Sequence, residues 1–106
     1  MNLLNNLMGP DLEQGLKEYQ AVAGAILLDV RTPEEYSQGH IKGSRNLPLQ
    51  EITKAEEILE DKDAPVYLYC QSGGRSRRAA AFLQKIGYSD VHNIGGLAGY
   101  KGELEK

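Results

Sequence analysis

A single cysteine, Cys70, is all the thiol chemistry this chain holds. No internal disulfide is available, so the fold must rest on its apolar core. Nor can a second thiol in the chain take over whatever Cys70 acquires, so any cargo leaves to an outside acceptor. A basic stripe is missing too. Net charge is −3, and Lys and Arg are spread out apart from the cluster Arg75, Arg77 and Arg78. That argues against a nucleic-acid surface. No run approaches the roughly 20 apolar residues of a membrane helix. The opening stretch Met1 to Met8 is too short and too rich in asparagine for a signal peptide. A cytoplasmic location is therefore expected, and a reducing compartment suits a free thiol. No Cys/His grouping has metal-ligand spacing, so neither a metal nor a cofactor is expected. Internal repeats, low-complexity tracts and linkers are absent from the sequence as well.

What is present fits one domain. The 106 residues, 41% hydrophobic and 25% charged, match an ordinary globular composition and are too few for two independent cores. Asp11 to Tyr19 reads as a short helix, and Ala25 to Val30 as an apolar run of strand length buried on both faces. Thr32-Pro33-Glu34-Glu35 carries a helix start: an N-cap threonine, proline at the first turn, and a glutamate that completes a capping box. Arg45 to Leu49 reads as a weak strand ended by Pro48, and Ile52 to Glu60 as a helix. Val66 to Tyr69 is a strand, and Ser76 to Ile86 a helix with Ala79, Phe82, Leu83 and Ile86 inward and Gly87 as its cap. Val91 to Ile94 is the last strand, followed by a Gly95-Gly96 turn and a short helix near Leu97 to Lys101. Alternating strands and helices predict an α/β domain, a mostly parallel sheet of four to five strands with helices on both faces.

Cys70 stands where one of those strands ends, and Gln71-Ser72-Gly73-Gly74-Arg75 bends the chain into a helix. A glycine-rich turn can aim backbone N–H groups at the sulfur, and a helix N-terminus lies close behind. Both favour a thiolate. The strand that ends in Asp29-Val30-Arg31 shares the same rim if the two run parallel, and ligands of open α/β sheets gather there. Helical phase places Arg75 on the sheet-facing side, four residues before Ala79, where Asp29 or Glu35 could receive it. The same phase turns Arg77 to solvent and leaves Arg78 at the boundary. Asp29 is explained in full as a partner for Arg75. Arg31 either reaches an anionic donor at the rim or pairs with Glu34 or Glu35. His40 follows a helix exit and is expected to fix a turn by a hydrogen bond; His92, Tyr67 and Tyr69 read as structural.

These residues resemble a known family. Leu28-Asp29-Val30-Arg31-Thr32-Pro33-Glu34-Glu35-Tyr36 with Gly39-His40-Ile41-Lys42-Gly43-Ser44 resembles the first signature of rhodanese-like domains. Asn46-Leu47-Pro48-Leu49 continues it, Cys70 to Ser76 matches the active-site loop, and Ile94-Gly95-Gly96-Leu97 resembles the closing motif. Together they span about Ala25 to Tyr100, in order and at family spacing. Lys42, Ser44 and Tyr100 depart from common family residues at positions expected to affect packing. Residues 1–10 have no counterpart and are taken as an extension of a domain covering 11–106.

The resemblance implies a single-domain sulfurtransferase of the thiosulfate-using type. Cys70 would attack a sulfane sulfur donor such as thiosulfate and hold the sulfur as a persulfide. Cyanide or a thiol would then remove it, with a sulfur-relay protein as a further conceivable acceptor. The backbone N–H groups of Gln71, Ser72, Gly73, Gly74 and Arg75 would cradle the persulfide, and Arg75 would close the loop; Asp29 and Arg31, from their place at the strand rim and apart from the resemblance, are expected as supporting residues. Two other readings are weighed. Cysteine-dependent phosphatases place five residues between cysteine and arginine, whereas Cys70 and Arg75 are separated by four, Gln71 to Gly74. Non-catalytic rhodanese-like modules commonly lose the cysteine that this chain keeps.

Overall fold

The computed structural model describes residues 10–106. The expected extension therefore lies, apart from Pro10, outside the described residues. Helix α1 (Leu12–Ala21) begins at Asp11, whose side chain accepts the Glu13 N–H at 3.0 Å. Strand β1 (Ile26–Asp29) leads to α2 (Pro33–Gln38), and the Thr32–Glu35 capping box is formed in full. Strand β2 is only Arg45–Asn46. A 3₁₀ helix (Leu49–Lys54) runs into a single α turn, α3 (Ala55–Ile58). Strand β3 (Val66–Cys70), helix α4 (Gly74–Lys85) and strand β4 (Val91–Gly96) complete the order. The four strands are all parallel and lie in the order β2-β1-β3-β4. Among the described residues no helix is long and apolar enough to cross a membrane.

Alternation along the strands divides the core in two. Leu28, Val66, Leu68 and Cys70 pack on one face with Leu59, Ala79 and Leu83 from the helical side. Leu27, Tyr67 and Tyr69 point to the other face, with Leu12 and Leu16 of α1 and with Ile41. Period-two geometry thus puts the Cys70 side chain beneath α4 rather than beneath α1. Every residue of β3 is buried, as a central strand covered on both faces requires.

Three local expectations are corrected. The helix expected from Ile52 to Glu60 is α-helical only over Ala55–Ile58; it is entered through a 3₁₀ helix that starts at Leu49 and runs to Lys54. Leu49, Ile52 and Ala55 are spaced by three, so a three-residue turn stacks all of them on the core side. No helix forms at Leu97 to Lys101, because Gly99 takes φ +79°, outside the right-handed helical region, and the chain makes a single turn closed by Tyr100 N–H on Leu97 O (2.8 Å); the Leu97 and Ala98 N–H groups donate to Cys70 O (3.0 Å) and Gln71 O (2.9 Å). Gly95 and Gly96 are the end of β4 and not a free turn. The register shifts between Leu68 and Cys70, and Gly96 pairs with Cys70. A Cβ on Gly96 would meet Gln71 O at 2.3 Å, so only glycine lets the two backbones approach there.

A tight contact of the same kind fixes α1. Gly15 is buried in α1, and a Cβ there would lie 2.3 Å from Ile94 Cβ. Alanine would gain about 1 kcal/mol of helix propensity, but the overpacking it causes costs about 1–3 kcal/mol. The steric term wins: Gly15→Ala should lower the urea midpoint of unfolding, and an unchanged or raised midpoint would refute this packing.

Candidate active site

Strand β3 delivers Cys70 to the rim, and the chain then curls around its sulfur. Gly73 takes φ +94°, the left-handed region open to glycine, and caps α4. That twist turns the Gly73 N–H onto Cys70 Sγ at 2.9 Å. From the first turn of α4 the Ser76 N–H reaches Sγ at 3.4 Å, and the Ser76 hydroxyl lies 3.5 Å away. Cys70 has no exposed surface, and Ser76 is equally buried. Burial by itself pushes the thiol up. The Ser76 hydroxyl and the N–H groups of Ser76, Gly73 and Ser72 more than offset that, and the thiol sits below its ordinary value. Hydrogen bonds to the charged form therefore decide its ionisation.

The charged residues around the loop are paired in a definite pattern. Arg31 is clamped on Asp29: Nε donates to both carboxylate oxygens at 3.1 Å, and Nη2 to Oδ2 at 2.7 Å. Nη2 also reaches Gly39 O at 2.7 Å. Both residues are buried. Arg75 instead spans the rim to α2, donating from Nη1 to Glu35 Oε1 at 2.7 Å and from Nη2 to Oε2 at 3.0 Å. This two-pronged pair ties the cysteine loop to the segment after β1. Two grooves flank the loop. One, about 320 Å³, is lined by Arg31, Glu35, Gln38, Gln71, Leu97 and Leu104, and the other, about 410 Å³, by Gln71 to Gly74 with Arg77 and Asn93 among others.

Comparison with known proteins gives the family. The model of the rhodanese-like domain matches residues 10–103. The chain belongs to the rhodanese-like family. It is 46% identical over 83 residues to the uncharacterized protein YqhL of Bacillus subtilis, a match covering 76% of this chain and 64% of that one. It is 41% identical over 71 residues to the thiosulfate sulfurtransferase PspE of Escherichia coli, covering 66% and 68%. A solved structure described as a rhodanese with anions from E. coli superposes with a TM-score of 0.71 at 36% identity, covering 77% of this chain and 98% of that one.

Within this rhodanese-like frame Gln71 to Arg75 form the loop that follows Cys70, Asp29 and Arg31 lie at the neighbouring end of β1, and two pairings are reassigned. Asp29 pairs with Arg31 and not with Arg75, because the two-residue spacing lets Arg31 fold back onto its own strand end. Arg75 takes Glu35 alone. Arg31 accordingly pairs with neither Glu34 nor Glu35. Arg77 is exposed but borders the groove along the cysteine loop, since α4 starts at Gly74 and not at Ser76. Arg78 is exposed. His40 does fix a turn, with Nδ1 2.8 Å from Tyr36 O and its ring stacked on Tyr36. His92 contacts Asp90 and stacks on Tyr67. Tyr69 does more than pack: its hydroxyl accepts the Ile41 N–H at 3.0 Å and donates to Ser44 Oγ at 3.2 Å. Ser76, which only closes the loop motif in the sequence, and Asn93 carry no expected role at the site. Ser76 had a signal, its place next to Arg75 at a helix start; Asn93, 17 positions further on, had none.

The Glu35–Arg75 pair has a pH signature. The Arg75 guanidinium, with help from the Thr32 cap, holds the Glu35 carboxyl at about 2 against an ordinary 4.5. Below 4.5 the unfolded chain binds the proton first, so this pair's stabilisation is complete above that pH and is lost as pH falls toward 2. Being one-third exposed, it is worth less than a buried pair. Glu35→Gln should flatten the acid-side decline of the urea midpoint between pH 4.5 and 2; an equally steep decline would refute the pairing.

Proposed function

We propose that this chain is a rhodanese-type sulfurtransferase that carries sulfane sulfur on Cys70. The observation that carries the reading is the sulfur's setting: a buried thiol receiving Gly73 N–H at 2.9 Å and Ser76 N–H at 3.4 Å from a loop built around it. Fixed donors aimed at a sulfur stabilise negative charge there without reorganising. The thiolate attacks the sulfane sulfur of an anionic donor such as thiosulfate. The donor's S–S bond breaks, sulfite leaves, and the charge passes to the outer sulfur of a Cys70 persulfide. Cyanide or a thiol then takes that outer sulfur and returns the thiolate. Cys70 has no exposed surface in the resting loop, so loading requires the exposed or half-buried segment Gln71 to Gly73 to yield.

In this reading Arg31 receives the donor's anionic end. Its Nε and Nη2 are committed to Asp29 and Gly39, while its Nη1 has no protein partner among the described residues and the side chain borders the smaller groove. Arg75 does not serve as a phosphate clamp, since both of its terminal nitrogens are held by Glu35. That counts against phosphatase chemistry. With one cysteine, the sulfur leaves to an external thiol, cyanide or a sulfur-relay protein. A reducing, cytoplasmic setting accords with a lone reduced thiol.

Intact-protein mass after incubation with thiosulfate tests the reading. The wild type should gain one sulfur atom that cyanide removes, and Cys70→Ser should gain none. A wild type that gains nothing while its thiol remains titratable would replace the enzyme with a binding module. Arg31→Lys keeps the charge but loses the planar fork. It should raise KM for thiosulfate about tenfold, equivalent to about 1.4 kcal/mol. An unchanged KM would remove Arg31 from donor binding.

A further inference from the structure

The Ser76 hydroxyl has four acceptors and one hydrogen. Asn93 Oδ1 lies at 2.6 Å, Gly73 O at 3.1 Å, Gly95 O at 3.4 Å and Cys70 Sγ at 3.5 Å. The Asn93 carboxamide is oriented by its other contacts. The Gly95 N–H can only donate, and it meets the same Asn93 atom at 3.1 Å, so that atom is the oxygen. The amide nitrogen faces Gly73 O at 3.4 Å. Ser76 must therefore donate to Asn93 at their short contact. Its hydrogen is then turned from the sulfur, and the hydroxyl oxygen faces Sγ. That suits a sulfur without charge. A thiolate needs the opposite arrangement, with the hydrogen on the sulfur.

Sulfur transfer alternates these two conditions. When the Cys70 thiolate attacks thiosulfate, a Cys70–S bond forms, the donor's S–S bond breaks, and sulfite departs with the bonding pair. The negative charge now rests on the outer sulfur, and Sγ is a neutral, two-bonded atom. When cyanide takes the outer sulfur as thiocyanate, the bonding pair returns to Sγ. We infer that Asn93 is a positioning residue that accepts the Ser76 hydroxyl hydrogen while Cys70 carries sulfur and yields it to Sγ when the thiolate is present. Only the hydroxyl rotor turns; no proton leaves Ser76. Asn93 thereby competes with the thiolate and sets how acidic Cys70 is. The alternation rests on the sulfurtransferase reading, whereas the competition for the hydrogen rests on geometry alone.

The competition predicts an effect of unusual sign. Asn93→Ala frees the Ser76 hydrogen. The charged thiolate should capture it ahead of the Gly73 carbonyl, which already receives the Arg77 N–H at 3.1 Å. The thiol should become more acidic, its alkylation profile moving to lower pH. If Asn93 served only to brace the loop, its loss would slacken the Gly73 and Ser76 donors and raise the thiol instead. The measurement is the pH dependence of Cys70 alkylation by iodoacetamide, without any sulfur donor, in wild type, Asn93→Ala, Ser76→Ala and the double variant. A downward shift that disappears in the Ser76→Ala background is the expected result. An upward shift, or the same shift in both backgrounds, would overturn the proposal. Should Asn93→Ala fail to fold, Asn93→Asp keeps the shape and strengthens the acceptor. It should raise the thiol more with Ser76 present than in the Ser76→Ala background, and equal rises would overturn the proposal. Sulfur loading by intact mass, run on the same wild-type protein, separates the two readings. A chain that shows these shifts but loads no sulfur keeps the Asn93–Ser76–Cys70 competition and loses the transfer cycle.

Discussion

Two backbone hydrogen bonds past the end of the sheet hold the site in shape. Leu97 N–H donates to Cys70 O and Ala98 N–H to Gln71 O, so β4 follows β3 beyond the last strand residue. This extension depends on Gly96, whose missing side chain leaves room for the Gln71 carbonyl. With the Cys70 and Gln71 carbonyls drawn toward β4, the loop's N–H groups are left to turn inward. Gly73 completes the turn with a positive φ, and α4 starts at once. Backbone geometry, more than any side chain, thus creates an anion-stabilising cradle around a buried sulfur.

The balance at the sulfur is a contest between desolvation and hydrogen bonding. Full burial disfavours a thiolate. Ser76 and the loop amides reverse that, so the net effect is a more acidic thiol. Charge plays a structural part around this centre. The Asp29–Arg31 pair is buried at the rim and its geometry is saturated on the protein side except at Nη1, a combination that specifies the β1 end more than it stabilises the fold. The Glu35–Arg75 pair is one-third exposed and acts as a strut between α2 and the cysteine loop.

Much of this was legible in the amino-acid order. The parallel sheet, the Thr32 capping box and the Cys70 loop are each written in contiguous residues, and local chemistry determines them. The pairings were less accessible. Arg75 had two plausible carboxylates by helical phase, and only the position of α2 decides that Glu35 lies within reach while Asp29 is already taken. The 3₁₀ segment was misjudged because Leu49, Ile52 and Ala55 satisfy a period of three, while the apolar pattern from Ile52 onward also suits an α-helix. The segment after Gly96 looked helical because no local pattern reveals that Gly99 turns into the left-handed region there, after two amides that pair with carbonyls 27 positions earlier.

The sequence by itself determined the fold family, the single nucleophilic sulfur and the loop that surrounds it, because these depend on residue types at short spacing. Tertiary structure alone decided which arginine meets which carboxylate, that Cys70 lies fully buried, and that Asn93 stands against Ser76. Those relations join residues far apart in the chain, and distance across a packed sheet is not encoded in any local pattern. The physical reason is that hydrogen bonds are selected by angstrom-scale position, which only the assembled β3–β4–α4 packing supplies.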